Sequence, residues 1–140
     1  MAARILTVDD SRTIRLIVAR AFRGYACEIF EATDGQQGLT VAQRERPDVI
    51  LLDLTMPVMD GMEMLAKLKS DPELRSIPVI MLSAESGQEK VLRFAKLGVR
   101  DYVAKPFKEE FIVERVCRIV DLQAKNVAPP PLNTSAPAVF

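Results

Sequence analysis

Val49-Ile50-Leu51-Leu52-Asp53 is the stretch on which the fold turns. Four apolar residues in unbroken succession read as a strand buried on both faces, as in a parallel sheet covered by helices, and not as a strand with one wet face. The run ends on a carboxylate. Two further runs, residues 5–8 and 79–82, share the pattern, and these three are the expected central strands. Cys27-Glu28-Ile29-Phe30-Glu31-Ala32 and Arg100-Asp101-Tyr102-Val103-Ala104 instead mix charged with apolar positions, as half-exposed edge strands do.

Segments of helical period lie between these strands. Ile14, Ile17, Val18, Ala21 and Phe22 form one stripe that stops at Gly24. Leu39 to Ala42 before Pro47, and Met62, Leu65, Ala66 and Leu68 before Pro72, repeat the theme, with each proline marking where a helix has ended. A fourth helix is expected over 88–97, followed by Gly98. The fifth carries Ile112, Val116, Ile119 and Val120. Five strands alternating with five helices imply a doubly wound parallel sheet joined by right-handed crossovers. With the second and fifth strands at the edges, the order is 2-1-3-4-5, a flavodoxin-like α/β fold. Such a sheet reverses its winding between the first and third strands, and ligands bind at the carboxyl ends of the strands there.

The residues at those ends are Asp9 and Asp10 after the first strand, Asp53 after the third, Ser83 after the fourth and Lys105 after the fifth. Three carboxylates in one crevice repel one another, which raises at least one pKa unless a cation compensates. Mg²⁺ suits an all-oxygen cluster and takes one or two carboxylates together with phosphate oxygens. The chain has no histidine to favour zinc. Asp53, a single carboxylate ending a buried strand, is the candidate nucleophile for an aspartyl phosphate, leaving Asp9 and Asp10 to the metal. Phosphoryl transfer spreads charge over three equatorial oxygens, and Mg²⁺, the Lys105 ammonium and the Ser83 hydroxyl match that demand.

Taken together, Asp9-Asp10, the run Asp53-Leu54-Thr55-Met56-Pro57-Val58-Met59-Asp60-Gly61-Met62-Glu63, Ser83-Ala84 and Lys105-Pro106-Phe107 resemble the receiver domain of two-component response regulators, CheY-like and single-domain. The resemblance covers residues 4–122. It implies a phosphoprotein that takes its phosphoryl group on Asp53 from a sensor histidine kinase, a phosphotransfer protein or a small phosphodonor. It also implies a Mg²⁺ site made by Asp9, Asp10, Asp53 and the Thr55 backbone carbonyl, and a cis Lys105-Pro106 bond. Ser83 and Tyr102 take the switch positions, serine being the less usual hydroxyl there. The side chains of Thr55 and Glu85 stand where the family tunes dephosphorylation. Output to a downstream protein target then runs through the fourth helix, fifth strand and fifth helix, by biasing a bistable loop.

Each fragment has a plainer reading. Asp9-Asp10-Ser11 is also what a helix N-cap looks like, Ser83 alone suits a helix cap, Lys105 alone a solvated charge, and Tyr102 a static edge residue. Asp60-Gly61 reads as a turn opening the third helix, and Met56, Met59, Met62 and Met64 as core and loop filler. Convergence on Asp53 decides for chemistry. A Mg²⁺-dependent phosphohydrolase would need a second catalytic acid near Asp53 and a substrate cap, and Leu54-Thr55 and the short connections supply neither. The domain is therefore expected not to be an enzyme beyond its own phosphorylation and dephosphorylation. Two alternatives stay open: the receiver part of a longer regulator whose effector domain is absent here, and a degenerate, phosphate-independent receiver.

Composition agrees. The 140 residues suit one domain, with 1–124 as the receiver and 125–140 as a proline- and alanine-rich disordered tail or linker. Nineteen basic residues cancel nineteen acidic ones, which argues against direct nucleic-acid or membrane-surface binding. No apolar run approaches the ~20 residues of a membrane span. The N-terminus lacks a signal peptide's features, and Cys27 and Cys117 read as core packing in a reducing compartment, so a cytoplasmic location is expected.

Overall fold

The computed structural model describes residues 2–84 and 88–124; Glu85 and the tail at 125–140 lie outside the described residues. The strands are β1 (Ala3–Val8), β2 (Cys27–Ala32), β3 (Val49–Asp53), β4 (Val79–Ser83) and β5 (Asp101–Ala104). They alternate with helices α1 (Arg12–Ala21), α2 (Gly35–Glu45), α3 (Gly61–Ser70), α4 (Gln88–Lys96) and α5 (Glu109–Cys117). All neighbouring strands pair in parallel, in the order β2-β1-β3-β4-β5.

The unbroken apolar runs are explained by what covers them. Alternate residues of a strand face opposite sides, so Leu6, Val8, Ile50, Leu52, Val79 and Met81 pack towards α2, α3 and α4. Ile5, Val49, Leu51, Ile80, Leu82 and Val103 pack towards α1 and α5, against Val18, Phe22, Ile112 and Val116. All five residues of β3 are buried, whereas β2 is mostly half-buried or exposed, as befits an edge.

Local chemistry sets the helix ends. Ser11 caps α1 by accepting the Ile14 N–H, Asp34 caps α2 by accepting that of Gln37, and Asp60 forms a reciprocal capping box with Glu63 at the start of α3. The acidic pair Asp9-Asp10 stays outside the first turn of α1, so the cap is Ser11 and the carboxylates are left for other work.

Three expectations shift. The apolar stripe of α3 runs through Gly61, Met64, Leu65 and Leu68, which leaves Ala66 exposed. Helix α5 ends at Cys117, yet Ile119 and Val120 still reach the core, because their N–H groups donate to Val116 O at 2.9 Å and continue the turn. Cys117 is exposed and not packed in the core, since the residue after Val116 sits about 100° round the helix from the buried stripe. Neither Cys27 nor Cys117 is joined in a disulfide among the described residues.

Candidate functional site

The switch point between β1 and β3 brings together what the strand ends carry. Asp9 is fully buried just past β1, Asp53 is 6% exposed at the end of β3, and Asp10 beside them is exposed. One carboxylate oxygen from each lies within 4.8 Å of the others. Lys105, just past β5, reaches across: its Nζ donates to Asp9 Oδ2 at 2.8 Å and to Asp53 Oδ1 at 2.9 Å. Its backbone N–H donates to Ser83 O at 2.9 Å, which ties the end of β4 to the same lysine. Ser83 is buried, and the Lys105-Pro106 bond is cis.

Electrostatics follow from this crowding. Burial, the largest influence, lifts the Asp53 carboxyl above the usual aspartate range; the Lys105 bond pulls it down, and the Asp9 and Asp10 charges push it up again. For Lys105, burial pulls downward, but its bonds and attraction to Asp9 and Asp53 together win and hold the ammonium above its ordinary value. Three carboxylates against one ammonium leave the cluster short of positive charge by two. A divalent, oxygen-preferring cation fits that deficit and donor set. Lys105 is no solvated surface charge: its side chain is 16% exposed and doubly paired.

Thr55 is exposed in the loop after β3. Tyr102 is half-buried on β5, its ring 5.7 Å from that of Phe94 on α4. Glu85 lies outside the described residues. Met56, Met59 and Met64 are buried and Met62 half-buried, as filler should be.

Two residues of consequence escaped the sequence reading. Gly61 is more than a helix start: its N–H donates to Leu54 O at 2.8 Å, and a Cβ there would lie 2.2 Å from the Asp53 carbonyl oxygen. A glycine directly after a capping aspartate was the available signal. Arg15 of α1 donates through Nη1 to the Asp9 carbonyl oxygen at 2.7 Å. One arginine among several on a polar helix start carries no signal of its own.

Comparison with known proteins agrees with this geometry. The family described as "Response regulator receiver domain" matches residues 5–117. Response regulator PleD of Caulobacter vibrioides is 40% identical over 117 residues, 83% of this chain but 26% of that protein, so the chain spans about a quarter of that relative. Chemotaxis protein CheY-3 of Vibrio cholerae is 34% identical over 84% of this chain and 92% of its own length. Among solved structures, chemotaxis protein CheY4 of Vibrio cholerae superposes with a TM-score of 0.80 at 32% identity, covering 86% of this chain and all of the other. Sheet order, strand-end carboxylates, bridging lysine and sequence match agree: the chain belongs to the response regulator receiver domain family, the CheY-like signalling modules of two-component systems.

Proposed function

We propose that this receiver is a phosphorylation-activated switch that accepts a phosphoryl group on Asp53, from the phosphohistidine of a sensor histidine kinase or phosphotransfer protein or from a small phosphodonor. A carboxylate oxygen of Asp53 attacks phosphorus; a P–O bond forms as the P–N bond to the donor imidazole breaks, and the electron pair leaves with the ring nitrogen. Asp9, Asp10 and Asp53 itself, with the Thr55 carbonyl, would hold Mg²⁺ there. The chemistry a bound Mg²⁺ supplies is neutralisation of charge on the transferring oxygens. Lys105 supplies fixed positive charge at the same oxygens, and the Ser83 hydroxyl a hydrogen bond once the phosphoryl is in place. The observation that carries the reading is Lys105 Nζ bridging Asp9 and Asp53 at 2.8 and 2.9 Å at the switch point.

Ser83 and Tyr102 would couple phosphate to the face made by α4, β5 and α5. That face shows Val91, Leu92, Leu97 and Phe111 exposed, and a cavity of about 380 Å³ lined by Tyr102, Pro106, Phe107 and Phe111, which suits a protein partner. Thr55 and Glu85 would set the lifetime of the phosphoryl group. A cytoplasmic location accords with the absence, among the described residues, of any helix long and apolar enough to cross a membrane. The match to one quarter of PleD keeps open a place in a longer regulator. The intact acidic and lysine set speaks against a phosphate-independent receiver.

The test is intact mass after incubation with Mg²⁺ and a small acyl phosphate. A gain of one phosphoryl group that needs Mg²⁺ and is lost in Asp53→Asn is expected. Absence of the gain with both a small donor and a phosphorylated histidine kinase overturns the proposal.

A further inference from the structure

Asp9 is bonded at each of its polar atoms. Its N–H donates to Ala32 O at 3.0 Å, Oδ1 accepts the Ser11 N–H at 2.9 Å, and Oδ2 accepts Lys105 Nζ at 2.8 Å. The carbonyl oxygen accepts Arg15 Nη1 at 2.7 Å. Arg15 is itself held from outside the site: its Nε donates to Glu31 Oε1 at 2.9 Å, on edge strand β2. The Arg15 side chain is 15% exposed and that of Glu31 50%. A guanidinium offers several donors in one rigid plane, so a single head holds both acceptors at fixed angles, whereas an ammonium is a point charge whose donors rotate.

We propose that Arg15, oriented by Glu31, is a positioning residue for the divalent-cation site. The Asp9 carbonyl belongs to the peptide whose other end is the Asp10 nitrogen. Pinning that carbonyl fixes the peptide plane and hence the direction in which Asp10 leaves the β1 strand end. Glu31 also neutralises the guanidinium, so that a cation close to Asp9 is not opposed by an unpaired positive charge. Groups that orient metal ligands from behind commonly change metal affinity by about tenfold or more when removed. This inference rests on the Mg²⁺ reading given under Proposed function.

Calorimetric titration of the metal-free full chain with MgCl₂ tests it. Arg15→Ala is expected to weaken Mg²⁺ binding about tenfold. Glu31→Gln is expected to weaken it less, and the double variant no more than Arg15→Ala alone, because Glu31 acts through Arg15. Arg15→Lys, which keeps the charge without the fork, is expected not to restore affinity. Amide hydrogen exchange without metal gives an independent reading: Asp9 and Ser11 lose protection in Arg15→Ala while β3 keeps its own. Wild-type binding with unchanged affinity in Arg15→Ala, or fully additive losses in the double variant, overturns the inference alone. Absence of Mg²⁺ binding by the wild type overturns the metal reading and takes this inference with it. Glu31→Gln lies on an exposed edge and keeps the question answerable if Arg15→Ala does not fold.

Discussion

Replacing Val58 with asparagine or glycine is expected to stabilise the protein. Val58 sits in the loop after Asp53 with φ of 65° and is 81% exposed, while Met59 N–H donates to Pro57 O at 2.7 Å and closes a tight turn across it. A positive φ is rare for any side chain with a Cβ and a true outlier for a β-branched one. The cost is about 1–2 kcal/mol for an L-residue in the left-handed region. Buried Met59 and the ring of Pro57 hold the conformation on either side. Little burial is lost on substitution, because the valine is mostly in solvent. Asparagine tolerates the left-handed region and recovers part of the cost. Glycine removes all of it but gives back roughly 0.5–1 kcal/mol through its freer unfolded chain. Both variants are therefore expected to gain between about 0.5 and 1 kcal/mol, with Tm rising by roughly 2–5 °C for a chain of this size. Calorimetric melts in chelator, with Val58→Ala as the variant that keeps a Cβ, measure this. A Tm unchanged or lowered in both Asn and Gly variants refutes the strain argument.

Gly61→Ala is expected to cost about 2 kcal/mol in urea unfolding, because the added carbon meets the Asp53 carbonyl oxygen at 2.2 Å, whereas Gly24→Ala, with nothing within 4 Å among the described residues, costs far less; equal costs for the two refute the packing claim. Thr7 is fully buried on β1 and its Oγ1 has no hydrogen-bond partner among the described residues, so Thr7→Val is expected to be neutral or to raise stability by up to about 1 kcal/mol, read as a shift of the urea midpoint; a clear loss means the hydroxyl has a partner. Asp53 has a folded-state pKa above its ordinary value of 3.8, so the folded protein holds the proton more tightly and stability is lost as pH rises from near 3.8 through the raised value. Asp53→Asn is then more stable than wild type at neutral pH in chelator, with the gap closing as pH falls towards 3.8; a gap that widens in acid contradicts the sign. Mg²⁺ at a hundred times its Kd is expected to stabilise the wild type by about 2.7 kcal/mol and to reverse that order; no shift in Tm refutes a metal site at Asp53.

The sheet and the make-up of its site are legible in residue types alone. Unbroken runs such as Val49 to Leu52 are legible because burial on both faces leaves no room for polar residues, and the order of the strands follows from which segments tolerate charge. Once the order is known, Asp9, Asp10, Asp53, Ser83 and Lys105 fall at the strand ends by simple counting. What the tertiary structure decided depends on contacts between distant segments or on backbone angles that residue types do not announce. Arg15 and Glu31 meet because β1 and β2 pair in register, so that a helix residue and an edge-strand residue share the Asp9 turn. The positive φ of Val58 and of Arg46, which ends α2 without a glycine, is imposed by packed neighbours on residues that would not choose it alone. Cys117 is exposed because one step along a helix from a buried residue is a large rotation, and an apolar neighbourhood in sequence is then no measure of burial. Residue type reports what a position can do; the fold decides what stands beside it.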